Sequence, residues 1–232
     1  MKVKEKKRRS KKIWILLVVI AGIILATVVV IPKLLFPAYQ EPGVTGSHQV
    51  QEELFTWVDE SRVETFSDTG EKRALTVKFW YPKEKGSYPL VVFSHGAFGV
   101  IDSNYSTCKE LASNGYVVAS IGHPYHAMFV EDVNGKVTIA DMDFVKQALG
   151  GSGEYSEEAE RAMYEAEKEW IALRAADEQF VLNTILTKAK EKEAGAFALI
   201  DAEKIGLFGH SLGGASSVQL GRERDDIDAI ID

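Results

Sequence analysis

Hydrophobic positions fall along this chain in three regimes. Residues 13–31 read IWILLVVIAGIILATVVVI, an uncharged apolar run. As a helix it would span roughly 28 Å, close to the hydrocarbon core of a bilayer. Residues 32–60 follow, where Pro32, Pro37, Pro42, Gly43 and Gly46 interrupt any long element. From Val63 onward short apolar runs alternate with amphipathic stretches. Residues 63–67 and 75–81 alternate around Asp68-Thr69-Gly70 and predict a hairpin. Residues 90–94, 116–121, 205–208 and 227–231 are continuous apolar runs, suited to strands buried on both faces of a parallel sheet. Helical spacing covers 104–113, 170–190 and 211–220. Strands alternating with helices predict an α/β fold, a mostly parallel sheet with flanking helices and right-handed crossovers.

The predicted organisation is a basic cytoplasmic tail over 1–12, a transmembrane anchor over 13–31, a stalk and lead-in over 32–60, and an α/β domain over 61–232. Within the domain, residues 131–169 are irregular. They hold Gly150-Gly151-Ser152-Gly153 and an acid-rich run from Glu154 to Glu169, read as a solvated helix with a flexible lead-in or as a candidate cap. Trp14 sits where an interfacial aromatic would, and Pro32 and Lys33 are expected to end the apolar helix. The basic residues before the run, against Lys33 just after it, orient it by the positive-inside rule. The expectation is a single-pass cell-membrane protein, N-terminus cytoplasmic and domain outside. A cleaved secretory signal is the rival, but no clear small-x-small site follows the run.

Charge sharpens this division. The first twelve residues hold eight basic groups and one acid, so of 27 basic and 34 acidic residues the remainder keeps 19 and 33, a net charge of −14. Such a body argues against a nucleic-acid partner, which needs clustered Lys and Arg. The single cysteine, Cys108, excludes an internal disulfide framework and a Cys-cluster zinc site. It is expected to be a small buried hydrophobe. No metal or cofactor motif is present, so neither is expected. Asn104-Tyr105-Ser106 fits a glycosylation sequon, a short pattern frequent by chance.

The chemistry concentrates in two places. Ile205-Gly206-Leu207-Phe208-Gly209-His210-Ser211-Leu212-Gly213-Gly214 carries G-x-S-x-G between an apolar strand and a helix. A serine on such a turn projects its hydroxyl above the sheet, and the flanking positions must be small. Ser211 is the expected nucleophile. Phe93-Ser94-His95-Gly96-Ala97-Phe98-Gly99 ends another apolar strand. Acyl transfer needs two backbone N–H groups aimed at one oxyanion. Leu212 would supply one, and Ala97 or Phe98 the other. His95 is expected to pin this loop by hydrogen bonding. His123 and His126 read as loop histidines at a pocket rim. Arg174 and Asp177 read as a local pair or cap.

These pieces carry a resemblance. LTVKFWYP (75–82), PLVVFSHGAFG (89–99), ELASNGYVVASIGHPYH (110–126), LRAADEQFVLNTI (173–185) and KIGLFGHSLGG (204–214) occur in an order that resembles the α/β-hydrolase superfamily, in its platelet-activating-factor acetylhydrolase and dienelactone-hydrolase-like branch. The resemblance implies an α/β-hydrolase fold over about 63–232, Ser211 as nucleophile, and Leu212 with Ala97 as the oxyanion hole.

One part of the pattern is missing. The fold orders its triad serine, acid, histidine, yet His48, His95, His123, His126 and His210 all precede Ser211. The chain is therefore expected to be the N-terminal part of a longer protein, its C-terminal part missing, with little turnover from residues 1–232. Asp232 is a candidate acid. Glu223, Asp225, Asp226 and Asp228 read as solvated loop charges. The expected activity is cleavage of carboxylic esters, short-acyl or lipid, through an acyl-enzyme on Ser211. The alternatives are a non-catalytic surface protein on a hydrolase scaffold, or a peptidase or acyltransferase of the same fold.

Overall fold

In the computed structural model, the described residues are 2–35, 41–150 and 156–232, with side chains from residue 11 onward. Pro37, Gly151-Ser152-Gly153 and Glu154, on which parts of the stalk and cap readings rest, lie outside them, as do the basic side chains of residues 2–9. The chain divides into two units, 1–43 and 44–232.

The first unit is helical. Helix α1 (Lys2–Leu25) continues through a π turn at Ala26–Val30 into α2 (Ile31–Leu35). The helix does not stop at Pro32 as the sequence predicts. Proline is tolerated in a first helical turn, and the wider turn before it fits a chain that must do without the Pro32 N–H. Over 11–35 this helix is long and apolar enough to cross a membrane by length and composition, and none of its apolar face is buried.

The second unit is built on one mixed sheet. In sequence order its strands are β1 (Val50–Val63), β2 (Lys72–Pro82), β3 (Tyr88–Ser94), β4 (Val117–Gly122), β7 (Ile200–Gly209) and β8 (Ala229–Ile231). They lie in the order β1-β2-β4-β3-β7-β8. A second, two-stranded sheet pairs β5 (Phe129–Glu131) with β6 (Val137–Ile139). β1–β2 and β2–β4 are antiparallel, whereas β4–β3, β3–β7 and β7–β8 are parallel. The expected α/β fold with a mostly parallel sheet is present. The helices are α3 (Tyr105–Ser113), α4 (Met142–Ala148), α5 (Glu157–Lys190) and α6 (Leu212–Glu223).

Alternation along the buried strands sorts side chains into two cores. Leu90 and Val92 join Leu75, Val77, Ile205 and Leu207 beneath α5, whose Val181, Leu182 and Ile185 close that face. Phe93 turns to the other face with Trp80, Val118 and Cys108 of α3. Cys108 is fully buried, as expected. Helix α5 begins at Glu157, so from there the acid-rich run is helical and exposed along its first turns. Ser156 caps it, accepting the Ala159 N–H at 3.1 Å.

Two boundaries differ from the sequence reading. The hairpin partner of β2 is not 63–67 but β1, which begins inside the segment read as stalk and lead-in. β1 lies at the sheet edge with Leu54 and Val58 exposed and Phe55 and Trp57 half-buried, so its apolar residues do not alternate cleanly. The segment read as irregular contains β6, α4 and the start of α5 in its described part.

Leu207 is 1% exposed in the interior strand β7, between β3 and β8. Leu207→Ala is expected to destabilise the domain by about 2–5 kcal/mol, read as a lowered urea midpoint with an unchanged slope.

Candidate active site

β7 ends at Gly209 and α6 starts at Leu212, so the chain reverses over His210 and Ser211. Ser211 adopts φ 54° and ψ −121°, a conformation that residues bearing a Cβ seldom take. Its side chain is exposed. Side chains are sterically excluded around it. A Cβ on Gly209 would meet the backbone of Gly213 and Gly214, and one on Gly213 would meet the Ser94 and His95 carbonyls at the end of β3. The predicted strand, sharp bend and helix are all present.

The loop after β3 reaches the same place. A Cβ on Gly96 would lie 2.9 Å from His210 Nδ1 and 3.4 Å from the Ser211 Cβ. Phe98 has φ 60°, and its N–H donates to the His126 carbonyl at 3.1 Å. Among the described residues, the N–H groups of Ala97 and Leu212 have no acceptor within hydrogen-bond reach. The choice the sequence left between Ala97 and Phe98 thus meets a difference in geometry, since the Phe98 donor is already engaged. Phe98 also packs on Phe144 of α4 at 5.3 Å, and Phe144 on Trp170 of α5 at 4.9 Å.

Beneath the loop lies a buried polar layer that sequence reasoning missed. Arg73 of β2 grips Asp177 of α5 through two hydrogen bonds of 2.7 Å and Glu64 through one of 2.9 Å. Burial would raise the Asp177 pKa, but the Arg73 charge and hydrogen bonds from Arg73 and His123 hold it far below the carboxylate range. Burial and the Arg174 charge push His123 down to about 4, so its ring is neutral near pH 7. Its Nδ1–H donates to Asp177 at 3.0 Å, which leaves Nε2 to accept from the Ser94 hydroxyl at 2.9 Å. Ser216 and Ser217 of α6 donate to Glu178, the latter at 2.9 Å. Burial raises Glu178 to about 7.

His123 and His126 are therefore not rim histidines. Both are fully buried, because the residues after β4 tuck under the β3 loop. Arg174 and Asp177 do not form the local pair read from their spacing. They point to different partners, Asp177 to Arg73 and His123, and Arg174 to the carbonyls of His95, Gly96 and His126. His95 does pin its loop, donating from Nδ1 to the Gly96 carbonyl at 2.7 Å and accepting the His123 N–H on Nε2 at 3.5 Å.

Asp232 follows β8, exposed, with its carboxylate against Gly214 in the first turn of α6. Asp228 is exposed and also accepts the Ile205 N–H on its carboxylate at 2.8 Å, and Asp226, likewise exposed, pairs with Arg224. Among the described residues no histidine ring is hydrogen-bonded to Ser211 or to Asp232. No group of three or more His, Cys, Asp or Glu that could hold a metal occurs among them either.

The family model for platelet-activating factor acetylhydrolase, isoform II, matches residues 67–229. The platelet-activating factor acetylhydrolase of Gallus gallus is 30% identical over 169 residues, covering 60% of this chain and 36% of the relative. That of Canis lupus familiaris is 32% identical over 147 residues, covering 57% of this chain and 31% of the relative. The chain thus spans about a third of the length of these curated relatives. Among solved structures, a ferulic acid esterase from Streptomyces cinnamoneus superposes with a TM-score of 0.61 at 23% identity, over 81% of this chain and 59% of that one. At that identity the likeness is one of fold.

Glu178 sets a pH dependence. Its folded pKa, about 7, lies above the ordinary carboxyl value of about 4.3. Its contribution to stability is complete below about pH 4.3 and is lost as pH rises through about 7. Relative to Glu178→Gln, the native protein should lose stability between pH 5 and pH 8, by on the order of 3 kcal/mol at most. Urea unfolding at both pH values tests this, and parallel behaviour of the two proteins would refute it.

Proposed function

The chain belongs to the platelet-activating factor acetylhydrolase isoform II family, and from that premise we propose that it is a membrane-anchored serine esterase using Ser211 as nucleophile. The observation that carries the reading is an exposed serine held at positive φ on a strand-to-helix bend, beside two uncommitted backbone N–H groups. Ser211 Oγ attacks the ester carbonyl and its proton passes to a base. The N–H groups of Leu212 and Ala97 hold the oxyanion, and the α6 N-terminus favours the same charge. The tetrahedral intermediate collapses, the alcohol leaves with a proton, and water then releases the acyl group from Ser211.

The substrate class is a carboxylic ester with a short acyl group. The named relatives are acetylhydrolases of platelet-activating factor, and a membrane location favours an ester presented on a lipid. Asp232, at the end of the strand beside the nucleophile strand, is the candidate acid. A second reading, a non-catalytic surface protein on the same scaffold, draws on the lack of a ring nitrogen bonded to Ser211 among the described residues.

A fluorophosphonate probe separates the two. Applied to the protein as expressed from its gene, it should label one serine, and Ser211→Ala should abolish labelling and lower kcat for p-nitrophenyl acetate on the order of 10⁴-fold. No labelling of the native protein favours the scaffold. Preference for a peptide amide over the ester would point to a peptidase instead.

The apolar helix over 11–35 is the anchor in this reading, with its basic end in the cytoplasm and the domain outside. Protease added to intact cells should remove the domain and spare an N-terminal tag. A tag removed from outside, or a mature protein lacking the helix, would refute the anchor.

A further inference from the structure

We propose that Arg174 is a positioning residue that fixes the direction of the Ala97 N–H in the oxyanion hole; the inference rests on the nucleophile reading of Ser211. A trans peptide is planar, with its C=O and N–H on opposite sides. Whatever binds the Gly96 carbonyl therefore sets where the Ala97 N–H points. That carbonyl accepts from His95 Nδ1 at 2.7 Å, from the Gly99 N–H at 3.1 Å and from Arg174 Nη2 at 3.5 Å. The carbonyl before it, that of His95, accepts from Arg174 Nη1. Two successive carbonyls thus turn toward one guanidinium, and the N–H groups of the same peptide units turn away from it.

The next donor runs the other way. The Phe98 N–H goes to the His126 carbonyl, which itself accepts from Arg174 Nη2 at 3.3 Å. Arg174 Nε reaches His126 Nδ1 at 3.4 Å. One side chain on α5 thereby ties the β3 loop to the segment after β4. It draws Phe98 inward and leaves Ala97 as the donor facing the Ser211 side.

Charge adds to orientation. Arg174 is fully buried, and among the described residues no carboxylate is hydrogen-bonded to it. Burial lowers its pKa only to about 10, so the group keeps its charge near neutral pH. A buried cation one peptide unit behind the Ala97 N–H strengthens that donor toward a developing oxyanion, and low local polarity limits screening. A structural arginine would need only satisfied donors. The placement of those donors on consecutive carbonyls of this loop is what assigns the further task.

The test uses Arg174→Lys, which keeps the charge and loses the planar fork, and Arg174→Gln, which keeps donors and loses the charge. Each is compared with the native protein in kcat, KM and inhibition by a trifluoromethyl ketone, which forms a hemiketal oxyanion on the serine. The expected result is a fall in kcat of about 10- to 100-fold, KM within about twofold, and a matching loss of ketone affinity. Loss of thermal stability alone, with kcat and ketone affinity unchanged, overturns the proposal. If both variants fail to fold, the native protein labelled with ¹⁵N-alanine decides. The Ala97 amide should exchange freely without ligand and shift when the ketone is added, and a protected, unmoved amide overturns the assignment. A native protein that neither hydrolyses ester nor binds the ketone sinks the nucleophile reading, and this inference with it.

Discussion

The close approach of three chain segments, at positions that leave no room for a Cβ on their glycines, is the constraint on which the site depends. Gly213 lies against the end of β3, Gly209 against the first turn of α6, and Gly96 against His210 and Ser211. Ser211, the proposed nucleophile, stands at the crest in a strained backbone conformation. Such strain costs of order 1–3 kcal/mol and persists only where the surroundings over-determine it. Here they do. β3 and β7 pair in parallel with Ser94 opposite Gly209, so the ends of both strands, and the loops that leave them, are fixed side by side by sheet register.

The polar layer below serves position more than stability. Taking charges out of water is expensive, and a well-packed apolar replacement is often as stable as a buried ion pair. Yet Arg73, Asp177, His123 and Ser94 join β2, α5, the segment after β4 and β3 through hydrogen bonds that each have one geometry. Their members sit at strand ends or on the helix facing them, directly under the β3 loop. Removing one partner would leave another buried and unpaired, so the layer transmits the placement of α5 to the loop and that of the loop to the elbow.

The legibility of these features in the sequence follows their range. The elbow was legible because its steric demand is local: glycines on both sides of one serine, between an apolar run and an amphipathic one. The interior strands β3 and β7 were legible because burial on both faces produces unbroken apolar runs at 90–94 and 205–208. β1 was not, since an edge strand can expose Leu54 and Val58 while half-burying Phe55 and Trp57. The histidines at 123 and 126 looked like loop residues because they flank Pro124 and Tyr125. Their burial depends on Asp177 and Arg174, roughly fifty residues further on. Arg73 and Asp177 are 104 positions apart, and no local spacing announces that pair. A signal was present all the same: Arg174, Asp177 and Glu178 stand on the apolar face of a helix otherwise lined by Val181, Leu182 and Ile185, and charges there demand partners.

These layers also divide the labour of the site. Sheet register decides where the β3 loop and the elbow meet, at Gly96 and Ser211. Register alone does not decide which way a peptide plane in that loop faces, because a plane can rotate with little movement of its neighbouring Cα atoms. Hydrogen bonds to the Gly96 carbonyl remove that freedom, and they come from His95 and the Gly99 N–H within the loop and from Arg174 outside it. A fold that placed the two loops correctly but left this plane free would hold the proposed nucleophile and still lack one of the two proposed donors for the charge it would create. On this argument the long helix α5 belongs to the active site as much as to the core: its apolar face closes the sheet at Val181 and Ile185, and its buried charges complete what the glycines begin.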